Sequence, residues 1–228
     1  MKYLIEDLPQ GIKFKIRKNT KKVTDLDMID DVWKRKDYHL RGFTIKKNDI
    51  VIDIGAHIGT FTVYAAMKAK GGTVFSFEPE KENFKLLKQN IILNNLKNIK
   101  AFNLGVCGIK GKTKLYLNNS NDAGHSIYQK TGKYEIVNCT TLRGIFDANK
   151  IEKCDFLKID CEGAEFEILF KAPREYLKKI DKIILEYHEW LYTKKTHKDL
   201  QNFLKSSGFD VKARKVEEKK GFLYARRY

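Results

Sequence analysis

The chain of 228 residues contains few cysteines and prolines, and it has no long apolar run. Its four cysteines, Cys107, Cys139, Cys154 and Cys161, lack the C-x-x-C spacing that zinc and redox sites use. No apolar stretch approaches the roughly 20 residues that span a bilayer, and the acids near the N-terminus do not fit a signal peptide. We therefore expect a soluble cytoplasmic protein whose cysteines are reduced and pack among apolar neighbours.

Acidic residues are also scarce in comparison with basic ones. The chain has 45 Lys and Arg residues but only 29 Asp and Glu residues, which gives a net charge of +16. Such a field attracts polyanions, so RNA, an anionic membrane surface and a phosphorylated substrate are candidate partners. The alternative is that proteins of the source organism are generally rich in lysine, and that these lysines only keep the surface hydrated. No compact stretch interleaves basic residues with aromatic ones as single-strand binders do.

The most informative segment covers residues 51–61, VIDIGAHIGTF, and reads as a buried strand, a glycine turn and a helix start. Asp53 stands where the strand ends. Gly55 lacks the Cβ that would keep a ligand away from the backbone, and Gly59 lets the helix begin close to the sheet. The free N–H groups of that helix start can hold a polar ligand. An ordinary strand-to-helix turn is the alternative.

An acid follows the next predicted strand. Thr73–Phe77 leads into Glu78, roughly 25 residues beyond Asp53, near the spacing at which nucleotide-binding βαβ units place an acid on a ribose. Capping of the following helix is the alternative, because Glu80 and Glu82 also lie in its first turn. The glycine turn has the form D-x-G-x-x-x-G, whereas dinucleotide folds prefer G-x-G-x-x-G. The pattern therefore indicates a nucleoside without a pyrophosphate, as in S-adenosylmethionine.

Strands and helices alternate along most of the chain, which is long enough for one α/β domain with a full core. An N-terminal extension over residues 1–42 holds an alternating edge strand, Ile12–Arg17, and a lid helix over residues 25–36. Residues 43–228 are predicted to form the domain that binds the nucleoside.

The chain closes on a predicted β-hairpin. Residues 209–216 and 222–226 are strand-like and flank a charged turn that ends at Gly221. Hairpin strands pair antiparallel, whereas strands joined by helices pair parallel. We therefore predict an α/β fold of the Rossmann-like class I methyltransferase type. It has a mostly parallel seven-stranded sheet with an antiparallel last strand and helices on both faces.

Several motifs in one order resemble the FkbM-like methyltransferases, a branch of the class I enzymes that use S-adenosylmethionine. The resemblance covers roughly residues 30–228. It rests on VIDIGAHIGTF at residues 51–61, FEP at 77–79, NIILN at 90–94, FLKIDCEGAE at 156–165, ILEYH at 184–188 and GFDV at 208–211. Two positions depart from the family pattern: His57 replaces a common Asn, and Arg143 replaces an acid after Thr-Leu. Neither departure changes the cofactor that the resemblance implies. Arg143 instead concerns the substrate, which can differ from that of other family members.

The resemblance and the turn together indicate the cofactor contacts. Glu78 would accept from both ribose hydroxyls, and charged hydrogen bonds of this type contribute roughly 1.5–3 kcal/mol. Asp53 would orient the loop, Pro79 would flank the adenine, and backbone groups near Gly105 would meet the adenine edge. His57 would contribute backbone and shape. The predicted cofactor-binding residues are Asp53, Gly55, Ala56, His57, Gly59, Glu78, Pro79 and Gly105.

Two further strand ends carry ionisable side chains. Asp160 follows Phe156–Ile159, and Glu186 and His188 lie at the end of the strand that starts at residue 182. Ligands of doubly wound sheets lie over the carboxyl ends of the strands, so these three are the predicted catalytic residues. A hydroxyl acceptor benefits from a base or a metal that withdraws its proton. The alternatives are helix capping by Asp160, a surface position for His188, and a divalent metal held by all three, which is not favoured.

The family resemblance implies O-methylation of a hydroxyl on a sugar or another small-molecule metabolite. The competing prediction is an RNA methyltransferase, acting on ribose or tRNA, which the basic charge favours. Base methylation is disfavoured because the chain lacks both an Asn/Asp-Pro-Pro-aromatic motif and a Pro-Cys nucleophile. A third alternative is a non-catalytic nucleotide-binding module, which the acids at two strand ends argue against.

Overall fold

The computed structural model describes residues 3–18, 24–35, 38, 40–118, 124–130, 132–189 and 195–227. The strands in this part of the chain are β1 (Tyr3–Leu8), β2 (Ile12–Arg17), β3 (Ile50–Ile54), β4 (Thr73–Phe77), β5 (Ile99–Phe102), β6 (Gly105–Val106), β7 (Gly111–Tyr116), β8 (Tyr134–Thr140), β9 (Phe156–Ile159), β10 (Lys182–His188), β11 (Asp210–Glu217) and β12 (Lys220–Arg226). The α-helices are α1 (Asp25–Trp33), α2 (Thr60–Lys68), α3 (Lys81–Leu93), α4 (Leu142–Asn149), α5 (Glu165–Phe170), α6 (Arg174–Leu177) and α7 (His197–Ser206). None of the helices in these ranges is long and apolar enough to cross a membrane.

The main sheet has seven strands in the order β11–β12–β10–β9–β3–β4–β5. Parallel pairing joins β10, β9, β3, β4 and β5, whereas β12 runs antiparallel to both β10 and β11. The last strand of the chain is therefore the antiparallel one, and it is inserted one position from the edge of the sheet. The predicted fold class is confirmed.

Helices cover both faces of the sheet, so the side chains of β3 are buried on both sides. Val51 belongs to one apolar cluster with Phe61 of α2, and Ile52 belongs to another that includes residues of α4, α5 and α7. A strand covered on both sides reads as a continuous apolar run, as β3 does apart from Asp53. Helices lie on both faces, as predicted.

The N-terminal segment forms a hairpin of its own. The expected edge strand is β2, and it pairs antiparallel with β1 rather than with the main sheet. Its apolar side, which includes Phe14, packs against α2 and α3. The side chains of Asn90 in α3 and of Asn94 at its C-cap accept hydrogen bonds from the β2 backbone at 2.7 and 2.9 Å. The helix expected over residues 25–36 is α1.

A second sheet of three strands has the order β6–β8–β7. Strand β5 ends at Phe102, and the chain enters β6 at Gly105. The inward side chains Leu115 and Val137 of this sheet line the cavity that also borders the main strands. The small sheet therefore forms one wall of the candidate site.

Candidate active site

A cavity of about 380 Å³ lies at the carboxyl ends of β3, β4, β9 and β10, a volume within the range of small-ligand sites. The sequence-predicted residues that line it are Gly55, Ala56, His57, Glu78, Pro79, Gly105, Asp160 and Glu186. Asp53, Gly59 and His188 lie behind this lining and contact residues that form it. All the predicted site residues therefore belong to one region of the fold.

Two glycines shape the loop over residues 55–59, called the glycine loop below. Gly55 has a φ of +77°, and a Cβ there would overlap the backbone carbonyl of Asp160. The absence of a side chain at Gly55 thus makes room for the backbone at the end of β9, whereas we expected it to make room for a ligand. Gly59 has a φ of +92°, and a Cβ there would lie 2.5 Å from Leu87 Cδ1. The missing Cβ therefore makes room for Leu87 of α3 at the start of α2, while α2 itself packs on the sheet through Phe61.

Asp53 and Lys158 hold the glycine loop from behind. Asp53 is fully buried and accepts a hydrogen bond from Thr62 Oγ1 at 2.6 Å. Lys158 Nζ lies 3.3 Å from Asp53 Oδ1 and donates to the carbonyl oxygen of Gly55 at 2.7 Å. Burial acts to lower the pKa of Lys158, but the carboxylates of Asp53 and Asp160 outweigh it and raise that pKa. Sequence reasoning missed Lys158 because a single lysine in an apolar strand has no motif.

Glu78 is a buried acid at the carboxyl end of β4. Its carboxylate accepts hydrogen bonds from the backbone N–H of His57 at 2.8 Å and of Glu80 at 2.9 Å. Burial raises the pKa of Glu78 to about 7, against the lowering effect of these hydrogen bonds. The residue that caps α3 is Glu80, which accepts from the N–H groups of Glu82 and Asn83. The capping alternative for Glu78 is therefore wrong.

His57 connects the glycine loop to the N-terminal hairpin. Its φ is +51°, and its Nε2 lies 3.0 Å from Arg17 Nη2 and 3.6 Å from Asp25 Oδ1. Arg17 and Asp25 form a buried ion pair in which Arg17 Nε donates to Asp25 Oδ2 at 3.0 Å. The hairpin and α1 therefore support the loop directly, through two residues that sequence reasoning did not select.

The structure brings the three predicted catalytic residues together. Asp160, Glu186 and His188 each offer one ligand atom, and these atoms lie within 4.8 Å of one another. The reason is that β9 and β10 are neighbours, with Lys158 opposite Ile184 in the parallel register. Convergence at the strand ends was expected from the sequence. The catalytic role of the three residues stays a prediction.

Asp160 is held as a carboxylate by its neighbours. The hydroxyl of Tyr38 donates to Asp160 Oδ2 at 3.1 Å. Burial acts to raise the pKa of Asp160, but nearby cations, with Lys158 the strongest, outweigh it and lower that pKa. Helix α5 begins at Glu165 and has Ala164 at its N-cap without a side-chain cap. The capping alternative for Asp160 is therefore wrong.

Glu186 pairs with a lysine from the closing hairpin. Lys220 Nζ lies 2.7 Å from Glu186 Oε1, and Lys220 is opposite His188 in the antiparallel register of β10 and β12. Burial raises the pKa of Glu186 to about 7, with Asp160 adding to the rise and Lys220 opposing it. Burial acts to lower the pKa of Lys220, but Glu186 outweighs it and raises that pKa. Near neutral pH, Glu186 can exchange a proton while Lys220 stays charged.

His188 is buried rather than on the surface, so the surface alternative is wrong. Its Nδ1 lies 3.0 Å from Glu165 Oε1, and its Nε2 lies 3.8 Å from Glu162 Oε2. Burial acts to lower the pKa of His188, but the carboxylates of Glu162 and Glu165 outweigh it and raise that pKa to about 10. The imidazole is therefore charged at neutral pH and cannot act as a base there.

Two carboxylates and an imidazole could together hold a divalent cation. A metal would have to displace the proton of His188, and Glu162 and Glu165 oppose this because they raise the pKa of that imidazole. The ammonium of Lys220 also already neutralises Glu186. The set of donors therefore suits proton exchange better than metal binding.

Several known proteins with related sequences are named as methyltransferases. The family described as "Methyltransferase FkbM domain" matches residues 53–211. "Methyltransferase 1" of Beauveria bassiana is 24% identical over 185 residues, which cover 72% of this chain and 73% of that protein. The "31-O-demethyl-FK506 methyltransferase FkbM" of Streptomyces tacrolimicus is 36% identical over 55 residues, which cover 24% of this chain and 21% of that protein.

Several solved structures share the fold. Methyltransferase FkbM from Methylobacillus flagellatus superposes with a TM-score of 0.57 at 17% identity, over 80% of this chain and 44% of that longer chain. This chain thus spans less than half of that protein. SMU.1697c from Streptococcus mutans, solved in complex with S-adenosylhomocysteine (SAH), superposes with a TM-score of 0.51 at 14% identity. The match covers 81% of this chain and 91% of the other.

The sheet order, the antiparallel β12 and the glycine loop beside the cavity define a class I methyltransferase, the fold of enzymes that use S-adenosylmethionine. The chain belongs to the FkbM methyltransferase family, because that family matches more than half of its length. The resemblance stated from the sequence motifs is confirmed, and the protein is a methyltransferase.

Proposed function

We propose that the protein transfers a methyl group from S-adenosylmethionine to a hydroxyl on a sugar or another small metabolite. The observation that carries the proposal is the pair of Glu186 and Lys220 in the same cavity as the glycine loop. A hydroxyl loses its proton as it is methylated, and a buried carboxyl with a pKa of about 7 is suited to accept it at neutral pH. The name of the Streptomyces relative, which describes O-methylation, supports this acceptor chemistry.

The glycine loop and the end of β4 fit the methyl donor. The carboxylate of Glu78 accepts two backbone hydrogen bonds and one from the side chain of Asn83, which leaves one of its four acceptor sites for a ribose hydroxyl. Pro79 and Gly105 line the part of the cavity beyond Glu78, where the adenine would lie. Asp160 and Glu186 line it beyond the glycine loop, where the methyl group would lie. The cavity therefore offers the methyl donor a hydrogen-bond acceptor for its ribose at the end of β4, and acids near its methyl group at the ends of β9 and β10.

The donor supplies an activated methyl group, so the protein mainly aligns the acceptor and removes its proton. Asp160, kept ionised and bonded to Tyr38, would accept a hydrogen bond from the acceptor hydroxyl and orient its oxygen. Glu186 would take the proton as the oxygen–carbon bond forms. The charges on Lys220 and His188 would balance the two acids throughout the reaction.

RNA is the second candidate acceptor, because the net charge of +16 attracts polyanions. The inner site favours a neutral acceptor instead. Its carboxyl groups outnumber its cations: Asp53, Asp160, Glu162, Glu165 and Glu186 against Lys158, His188 and Lys220. A phosphate group near the methyl would meet this excess of negative charge at short range. We therefore rank a sugar or other uncharged hydroxyl compound above RNA.

A labelled-methyl assay tests the proposed acceptor class. The protein is incubated with S-adenosylmethionine labelled on the methyl group and with cell extract separated into small-metabolite, glycan and RNA fractions. We expect label in the small-metabolite or glycan fraction, reduced at least about 100-fold by Glu186→Gln because the proton acceptor is lost. Glu152→Gln is the matched control at an exposed position. Label confined to the RNA fraction would contradict the proposed acceptor.

A further inference from the structure

Two cysteines that are distant in the sequence meet where the small sheet borders the cavity. Cys107 follows β6 and Cys139 lies on β8, and the thiol of Cys107 donates to the sulfur of Cys139 at 2.7 Å. The backbone fixes this approach, because Gly105 is opposite Cys139 in the parallel register and the N–H of Cys107 donates to Thr140 O at 2.9 Å. A disulfide has a sulfur–sulfur length of about 2.05 Å, so closing the bond needs an approach of roughly 0.7 Å.

The pair differs from the other two cysteines in its position and its chemistry. Both sulfurs belong to residues that line the cavity, whereas Cys154 is fully buried in the main core. The hydrogen bond from Cys107 lowers the pKa of Cys139, although burial opposes this effect. Burial raises the pKa of Cys161 and of Cys154. Cys139 is therefore the cysteine best prepared to react as a thiolate, with Cys107 beside it.

We propose that Cys107 and Cys139 form a reversible disulfide in the wall of the cavity when the protein meets a peroxide. The thiolate of Cys139 attacks one oxygen of hydrogen peroxide, the O–O bond breaks, and hydroxide leaves and takes up a proton as water. The sulfur of Cys107 loses its proton and attacks the resulting sulfenic sulfur, the S–O bond breaks, and a second water leaves. Two thiols and one peroxide thus yield one disulfide and two waters, and a dithiol reverses the reaction by exchange.

The disulfide would join the two ends of the segment that carries β7 and most of β8. This closes a loop over residues 107–139, which removes conformational freedom from the unfolded chain. We expect the melting temperature to rise by roughly 5 °C or more in the oxidised protein. The sulfur of Cys139 also lies against Gly105, where a Cβ would be 2.9 Å from it. A cofactor placed beside Gly105 should therefore shield the pair from peroxide.

Thiol titration of the unfolded protein, with peptide mapping, tests the inference. We expect four free thiols in the reduced wild type and two after peroxide treatment, with Cys107 and Cys139 in one cross-linked peptide. Cys139→Ser should keep three thiols in both states. Cys107→Ser should fall from three to two without a cross-link, because the sulfenic acid formed at Cys139 then has no neighbouring thiol to resolve it. Cys161→Ser, the matched control on the same cavity, should fall from three to one. Treatment with dithiothreitol should restore every lost thiol.

The outcomes separate this inference from the proposed function. Four thiols after peroxide treatment, or a cross-link between any other pair of cysteines, would overturn the inference. The wild-type protein alone gives this result, so the test does not depend on whether the variants fold. Slower oxidation in the presence of SAH supports both the pair and the cofactor position that the proposed function assumes. A cross-link that forms at the same rate with and without SAH supports the pair and contradicts only that cofactor position.

Discussion

Lys220 Nζ lies 2.7 Å from Glu186 Oε1, so the closing β-hairpin delivers a cation to a buried acid of the strand beside it. The antiparallel β12 makes this possible, because its first residue lies level with the carboxyl end of β10. A parallel last strand would place its first residue at the opposite end of the sheet. The antiparallel strand thus contributes to the chemistry of the site as well as to the fold.

Replacing Lys220 should move the pH dependence of turnover. Glu186 accepts a proton only when it is ionised, so turnover of the wild type should rise with pH through about 7. Lys220→Met removes the charge that favours the ionised form, so the midpoint should move to higher pH. A movement of one unit, from about 7 to about 8, lowers the ionised fraction of Glu186 at pH 7, and with it turnover, roughly fivefold. A pH–rate profile measures the effect.

Lys219→Met is the matched control for that profile, because Lys219 is the exposed neighbour of Lys220. Its profile should coincide with that of the wild type. A Lys220→Met profile with an unchanged midpoint would show that Glu186 is not the proton acceptor, whatever the change in the maximal rate.

Glu78→Ala should weaken the binding of SAH about 10- to 100-fold, because the ribose loses its charged acceptor. Glu82→Ala should bind as the wild type does, since Glu82 lies exposed in the first turn of α3, outside the cavity. Affinity in the wild type should also fall as the pH drops below about 7, where Glu78 takes up a proton. Isothermal titration at several pH values measures both effects. Unchanged affinity in Glu78→Ala would place the ribose elsewhere.

Arg17→Met should destabilise the protein strongly, because it leaves the carboxylate of Asp25 buried without its partner. Losses of this kind amount to about 3–5 kcal/mol, or a fall of roughly 10 °C in melting temperature. Lys13→Met breaks an exposed ion pair with Asp7 and should change the melting temperature by less than about 2 °C. Calorimetry compares the two variants. Equal melting temperatures would mean that the buried pair of Arg17 and Asp25 stabilises the protein no more than the exposed pair of Lys13 and Asp7 does.

Chelation should leave turnover unchanged. His188 is held in its charged form and Lys220 already neutralises Glu186, so proton transfer needs no divalent cation. We expect the same rate, within about twofold, after dialysis against EDTA and after addition of Mg²⁺ or Mn²⁺. A loss of turnover that Mg²⁺ or Mn²⁺ restores would instead assign Asp160, Glu186 and His188 to a metal.

The main sheet could be predicted from the sequence because its signals are local. Apolar runs that end in Asp53 and Asp160 mark buried strands, and the turn at Gly221 marks the hairpin that makes β12 antiparallel. Strand β1 was missed because Leu4 and Ile5 are both exposed, so the segment has no alternation between buried and exposed sides.

The candidate site could be predicted only in part. Asp160 and Glu186 were found because each stands at the end of an apolar strand, where ligands of this fold lie. Lys220 reaches the same cavity from a segment far away in the sequence, and only the packed fold brings it there. Arg17 was missed for the same reason, since the sequence does not distinguish the charged residues of a buried ion pair from those on the surface.

The most direct test of the account compares Asp160→Asn with Asp155→Asn in a methyl-transfer assay. The two aspartates flank β9 at its opposite ends, so the same substitution is made at the carboxyl end and at the amino end of one strand. We predict that Asp160→Asn lowers turnover at least about 100-fold while the affinity for SAH stays within a few fold, and that Asp155→Asn keeps its turnover. Full turnover in Asp160→Asn would contradict the placement of methyl transfer at the carboxyl ends of β9 and β10.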